Sequence, residues 1–317
     1  MRLPMDSRTV LVLGGVIALV VLASGLGVVL SRTVRGETAR ATVRGWNARV
    51  RAWWVMCALF VGALFAGAGG SAVLFALVSF LALREYITVA PTRRGDHRAL
   101  FWAFFVILPL HYYVLHVQWY GLFCVFVPVY AFLFIPIRAL VADDHERFVE
   151  RMATIQWGLM VCVYFVSHAP ALLLLELPRY PETAAALLLF LVVTVQVAEA
   201  AQFLCDRCIG GPKILPKTSP EATYTGFLAG LAAASAVALA LRAATPFSWP
   251  EALGVSAAMA AMGFFGHVTM SAVQLARGVR SYQSMMERIA PLCFAAPVFF
   301  HYVSYFHSGP GVHPRLF

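Results

Sequence analysis

Three ionisable side chains stand inside long apolar runs of this 317-residue chain: His168, Glu199 and His267. A charge or an imidazole among apolar residues is costly to keep, so such positions are the first candidates for chemistry. Glu199 and His267 share a second property. Each lies near the end of its apolar run and is followed by a loop rich in Gly, Pro, Lys or Arg. The loop after Glu199 reads Arg207-Cys208-Ile209-Gly210-Gly211-Pro212-Lys213-Ile214-Leu215-Pro216-Lys217-Thr218-Ser219-Pro220. Two lysines, an arginine and accessible amides suit a phosphate group. A basic loop that only fixes membrane orientation has the same composition. Cys205 and Cys208 form a C-x-x-C, but no second pair and no nearby histidine completes a zinc set, so they read as small apolar residues at a helix end. The other cysteines are scattered through apolar segments, which argues against a disulfide framework.

The elements that carry these residues follow from composition. The chain is 61% hydrophobic and 12% charged, whereas a soluble domain carries about 25% charged residues. Lipid is therefore its solvent, and the fold class is an all-α, polytopic integral membrane bundle. Apolar runs predict about ten transmembrane helices: Thr9–Ser31, Ala52–Ala68, Ser71–Leu83, Leu100–Leu115, Trp119–Ile137, Thr154–Glu176, Ala184–Leu204, Tyr224–Leu241, Pro250–Leu275 and Ile289–Phe306. The first is too long for a cleaved signal and is read as a retained helix. The second and third are short, and are expected to form a hairpin turning at Gly67, Gly69 and Gly70. Pro109, Pro128, Pro136, Pro170 and Pro297 predict kinks or broken helices. Trp53, Trp54, Trp119 and Tyr120 near span ends read as interfacial anchors.

The net charge of +9 is a statement of topology. With ten spans, the loops holding Arg32–Arg51, Arg84–Arg98, Arg138–Arg151, Arg207–Lys217 and Arg277–Arg288 all fall on one side. The positive-inside rule makes that side the cytoplasm and puts both termini across the membrane from it. Arg32–Arg51 is either a basic amphipathic helix on the inner leaflet or a solvated linker. No soluble basic domain exists to bind nucleic acid.

The segment from Glu199 to Gly230 resembles the phosphatidate cytidylyltransferases, the CDP-diacylglycerol synthases. Gly210, Lys213, Pro216, Lys217, Ser219, Pro220, Thr223, Gly226 and Gly230 fall in step with that family's Gly-x-x-Lys loop and Ser-Pro segment. Met286-Glu287-Arg288-Ile289-Ala290, with the apolar helix from Cys293 to His301, resembles its C-terminal signature. Gly266 and Met270-Ser271-Ala272 match the approach to it. Leu83-Arg84-Glu85-Tyr86, Pro91-Thr92-Arg93-Arg94-Gly95-Asp96-His97 and Ile155-Gln156-Trp157-Gly158 are typical of one bacterial branch. The resemblance covers most of the chain after about residue 45. It divides the chain into an N-terminal helix with a basic juxtamembrane segment (1–51) and a membrane domain of the family type (52–317).

The resemblance implies CMP transfer from CTP to phosphatidate in the inner membrane, with Mg2+ held by carboxylates and active-site loops facing the cytoplasm. It assigns Lys213, Lys217, Ser219, Thr223 and Arg288 to substrate binding, with the three cations converging on one pocket. It leaves Glu199 and Glu287 as catalytic and metal-ligating acids. A homodimer is compatible with it. The departures are concentrated on the acids: the family's Asn-Asp is Ala198-Glu199, its Gly-Asp is Gly266-His267, and acids are replaced at Ser281 and Ala290. A Gly-rich loop is deleted between Ser284 and Met285. Hard cations prefer charged oxygen, which His267 and Ser281 do not supply. The expectation is a retained fold with weakened or lost chemistry. The alternative is a non-catalytic homologue that binds phospholipid or nucleotide, or regulates an active paralogue.

Overall fold

The computed structural model describes residues 7–34, 36–90, 92–178, 180, 183–278 and 285–308. Among these residues the chain forms ten long helical segments: α1 Ser7–Thr33, α2 Glu37–Phe65, α3 Gly67–Val89, α4 Arg94–His116, α5 Tyr120–Leu140, α6 Phe148–Leu174, α7 Ala184–Cys208, α8 Tyr224–Ala244, α9 Trp249–Ala276 and α10 Met285–His307. Nine of them, all but α2, are long and apolar enough to cross a membrane by themselves. The protein is a multi-pass all-α membrane protein. The third expected span is longer than the sequence pattern indicated, because α3 continues through Arg84 and Glu85 to Val89. The turn between α2 and α3 is tighter than three glycines require. It falls at Ala66 and Gly67, with Gly67 at φ +80°, a conformation open to glycine.

The basic stretch is helical rather than a linker from Glu37 onward, with Val43, Trp46 and Val50 buried and Arg40, Arg44 and Arg51 exposed. There it forms the first half of α2, continuous with the apolar half, and residue 51 lies within that helix. Trp46, Val50 and Trp53 bury against Val20 and Ala23 of α1 and Ala200 of α7. Trp46 Nε1 donates to Ala23 O at 3.0 Å and Trp53 Nε1 to Gln196 Oε1 at 2.8 Å. Trp53 is thus a packing residue, whereas Trp54 is exposed.

Polar contacts gather the basic loops at one end of the bundle. Arg93 pairs with Asp144 and Glu146, Arg151 with Asp96, and Arg277 Nη2 donates to Thr154 Oγ1. The Met285 N–H, at the start of α10, donates to Glu85 Oε2 at 2.9 Å. Helices α6 and α7 form the centre: 72% of the most apolar window of each is buried, against 22% for α5 and α8.

The prolines act through a specific geometry. A π-helical turn replaces α-helix at Ala103–Ile107, Phe126–Ala131 and Met160–Phe165, just before Pro109, around Pro128 and before Pro170. A proline has no N–H for the carbonyl four residues earlier. The carbonyl four before Pro136, Phe132 O, accepts instead from Gln156 Nε2 of α6 at 2.7 Å. Cys124 O, four before Pro128, accepts from the Tyr164 hydroxyl of α6 at 3.1 Å.

Close approach of α3 to α6 depends on Gly158. A Cβ there would stand 2.8 Å from Tyr86 Cδ1 and 3.1 Å from Leu83 Cδ1. Gly158→Val should lower the midpoint of thermal unfolding in detergent. Any gain in helix propensity is under about 1 kcal/mol, and overpacking costs about 1–3 kcal/mol. An unchanged midpoint would mean that α3 can back away.

Candidate functional site

The chemistry-bearing residues meet at the basic end, where α7, α8 and α9 pack on a short β-hairpin and α2 and the start of α10 add residues to the cavity beside it. Strands β1 Lys213–Leu215 and β2 Ser219–Thr223 pair antiparallel, Lys213 opposite Thr223 and Leu215 opposite Ser219, across the turn at Pro216-Lys217-Thr218. Ile214 and Ala222 pack on Phe227, Phe264 and Val268. Alternation along the strand then turns Lys213 outward.

Asp206, in the last turn of α7, ties the hairpin to α8. Its Oδ1 accepts from the Thr223 N–H at 3.0 Å and from Thr223 Oγ1 at 2.5 Å. Thr223 Oγ1 in turn accepts from Gly226 N at 3.0 Å, the N-cap of α8. A Cβ on Gly226 would stand 2.0 Å from Asp206 Oδ1, and one on Gly230 would stand 3.1 Å from Ala198 O. The glycines of the Ser-Pro segment therefore let α8 close on α7. Thr223, expected at the substrate, is occupied as a cap, and Ser219 is buried in β2.

Beside this cap lies a cavity of about 60 Å3, bounded by Arg49, Glu199, Asp206, Arg207, His267 and Glu287, with Phe203 and Glu221 in its wall. A narrower cavity shares Glu199 and His267 and runs between apolar walls toward Pro291. Three of the expected positions (Glu199, His267 and Glu287) are thus brought together from α7, α9 and α10. Arg49 was not expected there. Its Nη1 donates to Glu199 Oε1 at 2.6 Å, and its guanidinium lies 4.5 Å from the centre of the Phe203 ring. Arg207 lies 5.8 Å from the same ring and donates through Nη2 to Glu221 Oε2 at 2.7 Å. His267 Nδ1 is sealed from solvent and has no hydrogen-bond partner among the described residues.

The expected cations are elsewhere. Lys213, Lys217 and Arg288 are exposed, and none of them lines the cavity. The convergence of those three on one pocket is not what the structure shows; the guanidinium groups lining this cavity are those of Arg49 and Arg207. Ala290 is fully buried, and its carbonyl would stand 2.6 Å from a Cβ on Gly266. Tight α9–α10 packing fills the position of the replaced acid. Ser281 and the residues just before Met285 lie outside the described residues. His168 belongs to neither cavity. It is buried near Phe123 and Phe300 and donates from Nδ1 to Tyr164 O at 2.7 Å.

Two of the acids at the cavity are already engaged. Glu199 is held by a guanidinium and Asp206 by Thr223. No group of three His, Cys, Asp or Glu placed to hold a metal ion occurs among the described residues. Octahedral Mg2+ takes one or two free carboxylates with waters and substrate phosphates, and Glu199 is not offered in that form.

Residues 47–306 match the cytidylyltransferase family, and the chain belongs to it, among members of the phosphatidate cytidylyltransferase type. It is similar to the uncharacterized protein YnbB of Escherichia coli (strain K12), 31% identical over 265 residues that span 81% of this chain and 87% of that protein.

Proposed function

We propose that this protein is a phosphatidate-cytidylyltransferase homologue that receives phosphate-bearing ligands (phosphatidate from the inner leaflet and CTP from the cytoplasm) in the Arg49–Glu199 cavity, and converts them slowly or not at all. On this reading the basic end faces the cytoplasm and the membrane is the inner one. The observation that carries it is the 2.6 Å pairing of Glu199 with Arg49. It spends the acid that stands in the family's Asn-Asp position on an internal cation. The fold, the hairpin and the glycine contacts that shape the cavity are meanwhile kept. Nucleotidyl transfer concentrates negative charge on attacking and leaving oxygens, and a positioned divalent cation is its usual stabiliser. On this reading the acids do not hold that ion, and no metal-dependent step is assigned to them.

The test is Mg2+-dependent release of pyrophosphate from CTP and phosphatidate by the purified protein in liposomes, beside an intact phosphatidate cytidylyltransferase. The expected rate is at least about a hundredfold below the control, the loss that about 1 Å of misplacement already brings. A rate equal to the control would overturn this reading. Binding of phosphatidate or CTP without turnover would support the pseudoenzyme form of it, alone or as a homodimer or a partner of an active paralogue.

A further inference from the structure

We propose that the anion-binding element of this protein is a clamp of two guanidinium groups, Arg49 and Arg207, set around the Phe203 ring, which takes a phosphate monoester or pyrophosphate group without a divalent cation. This rests on the reading that the cavity receives a phosphate-bearing ligand, and it names the groups that hold it.

Geometry supplies the argument. Arg49 comes from α2 and Arg207 from the end of α7, yet both sit within 6 Å of one ring and both line one cavity. Cation–π contact at these distances orients the planar groups. A guanidinium carries five N–H donors in a fixed fork. Among the described residues Glu199 is the hydrogen-bond partner of the Arg49 side chain, through Nη1, and Arg207 uses Nη2 on Glu221. Among the described residues no other hydrogen bond takes the remaining donors of either group, leaving them for phosphate oxygens, which arginine binds bidentately. The side chain of Arg49 is 27% exposed and that of Arg207 39%. They are sheltered enough to strengthen the interaction and open enough to be reached. His267, whose sealed Nδ1 has no hydrogen-bond partner among the described residues, closes the inner wall.

The carboxylates then act as holders. Glu199 fixes Arg49, and Glu221 fixes Arg207, as second partners fix a metal ligand. Four carboxylates line the cavity beside the two guanidiniums: Glu199 and Glu221 are paired with them, Asp206 is held by Thr223, and Glu287 stands on the wall, so what the clamp offers a phosphate is directed N–H donors rather than net positive charge. The site also depends on α2 seating correctly against α1 and α7 through Trp46 and Trp53. The N-terminal helices are therefore part of the binding site.

The experiment uses the full chain in phosphatidylcholine nanodiscs with EDTA present. Inorganic pyrophosphate and dihexanoyl phosphatidate are titrated separately by calorimetry, which distinguishes a free phosphate from a lipid headgroup as the preferred source. At least one of the two should bind with a Kd that Mg2+ does not improve. Arg49→Ala should weaken binding about tenfold or more, the worth of one charge-assisted hydrogen bond. Because Arg49→Ala leaves Glu199 without its counter-charge, the double variant Arg49→Ala/Glu199→Gln is measured beside it. It restores neutrality and should stay as weak as the single variant. Arg207→Ala should weaken binding similarly. Binding that needs Mg2+, or that survives in the double variant, would overturn the clamp while leaving a ligand-binding homologue in place. No binding of either probe under any condition would overturn both.

Discussion

Replacing Asp96 with alanine should destabilise the protein by roughly 3–5 kcal/mol, the cost of breaking a buried ion pair from one side. Asp96 is fully buried and Arg151 is 3% exposed. Arg151 donates from Nε to Asp96 Oδ1 at 3.0 Å, from Nη1 to Glu146 O at 2.6 Å, and from Nη2 to Asp144 O at 3.1 Å. Asp96 Oδ2 accepts from the Arg93 N–H at 3.0 Å. One guanidinium thereby ties the start of α4 to the loop between α5 and α6. At Asp144 the upward push of desolvation is outweighed by the Glu146 N–H and by the Arg151 and Arg93 guanidinium groups, which hold its carboxyl below the usual range. With Asp96 gone, the desolvated guanidinium loses its buried charge partner and keeps only the partly exposed Asp144 Oδ2, 3.0 Å from Nη1. The measurement is the midpoint of unfolding by SDS in mixed micelles. The double variant Asp96→Ala/Arg151→Met should recover most of the loss, since removing both charges leaves none buried unpaired. A single variant as stable as the parent would show that water reaches the cluster.

The second large effect is an all-or-none one. Cys208 is an exposed free thiol at the basic end of α7, and Cys162 and Cys293 are buried. In a variant carrying Cys205→Ser, a membrane-impermeant maleimide should leave Cys208 unlabelled in intact cells and label it fully once the membrane is opened. Lys217→Cys, at the exposed turn of the hairpin, should behave the same way. Labelling of either site in intact cells would reverse the orientation that the positive-inside rule assigns to the bundle.

Much of this architecture was legible in the sequence, because hydropathy is a bulk property: the alternation of apolar runs and basic loops needs no knowledge of partners. Glu199 and His267 were legible as ionisable residues inside apolar runs, and Glu287 only through the resemblance of its segment to the family signature; His168, singled out by the same rule as the first two, lines neither cavity. Arg49 was hidden for the complementary reason. Among the many arginines of its segment it looks like topology, and its partner Glu199 is 150 residues away. A signal was present in the spacing of Trp46, Arg49, Val50 and Trp53, which places all four on one face of a helix. Lys213 and Lys217 misled because loop composition does not say which way a side chain points. A two-strand hairpin with Ile214 half-buried against Phe264 and its neighbours decides that, and strand pairing between such short segments leaves little pattern to detect. The use of Asp206 and Thr223 as a helix cap was equally unreadable, since it needs α7 and α8 to be adjacent first.

The carbonyls that prolines leave open on α5 bear on how the protein is made. An α5 that enters the bilayer alone exposes Phe132 O to hydrocarbon, where an unmet backbone group costs several kcal/mol. The group that meets it, Gln156, is translated later, on α6. Tyr164, the partner of Cys124 O, also arrives with α6. Helix α5 therefore reaches its final form only after α6 has been synthesised and has docked against it. The two segments mature as one unit of insertion, and the helix that ends up at the centre of the bundle serves first as the template that finishes its predecessor.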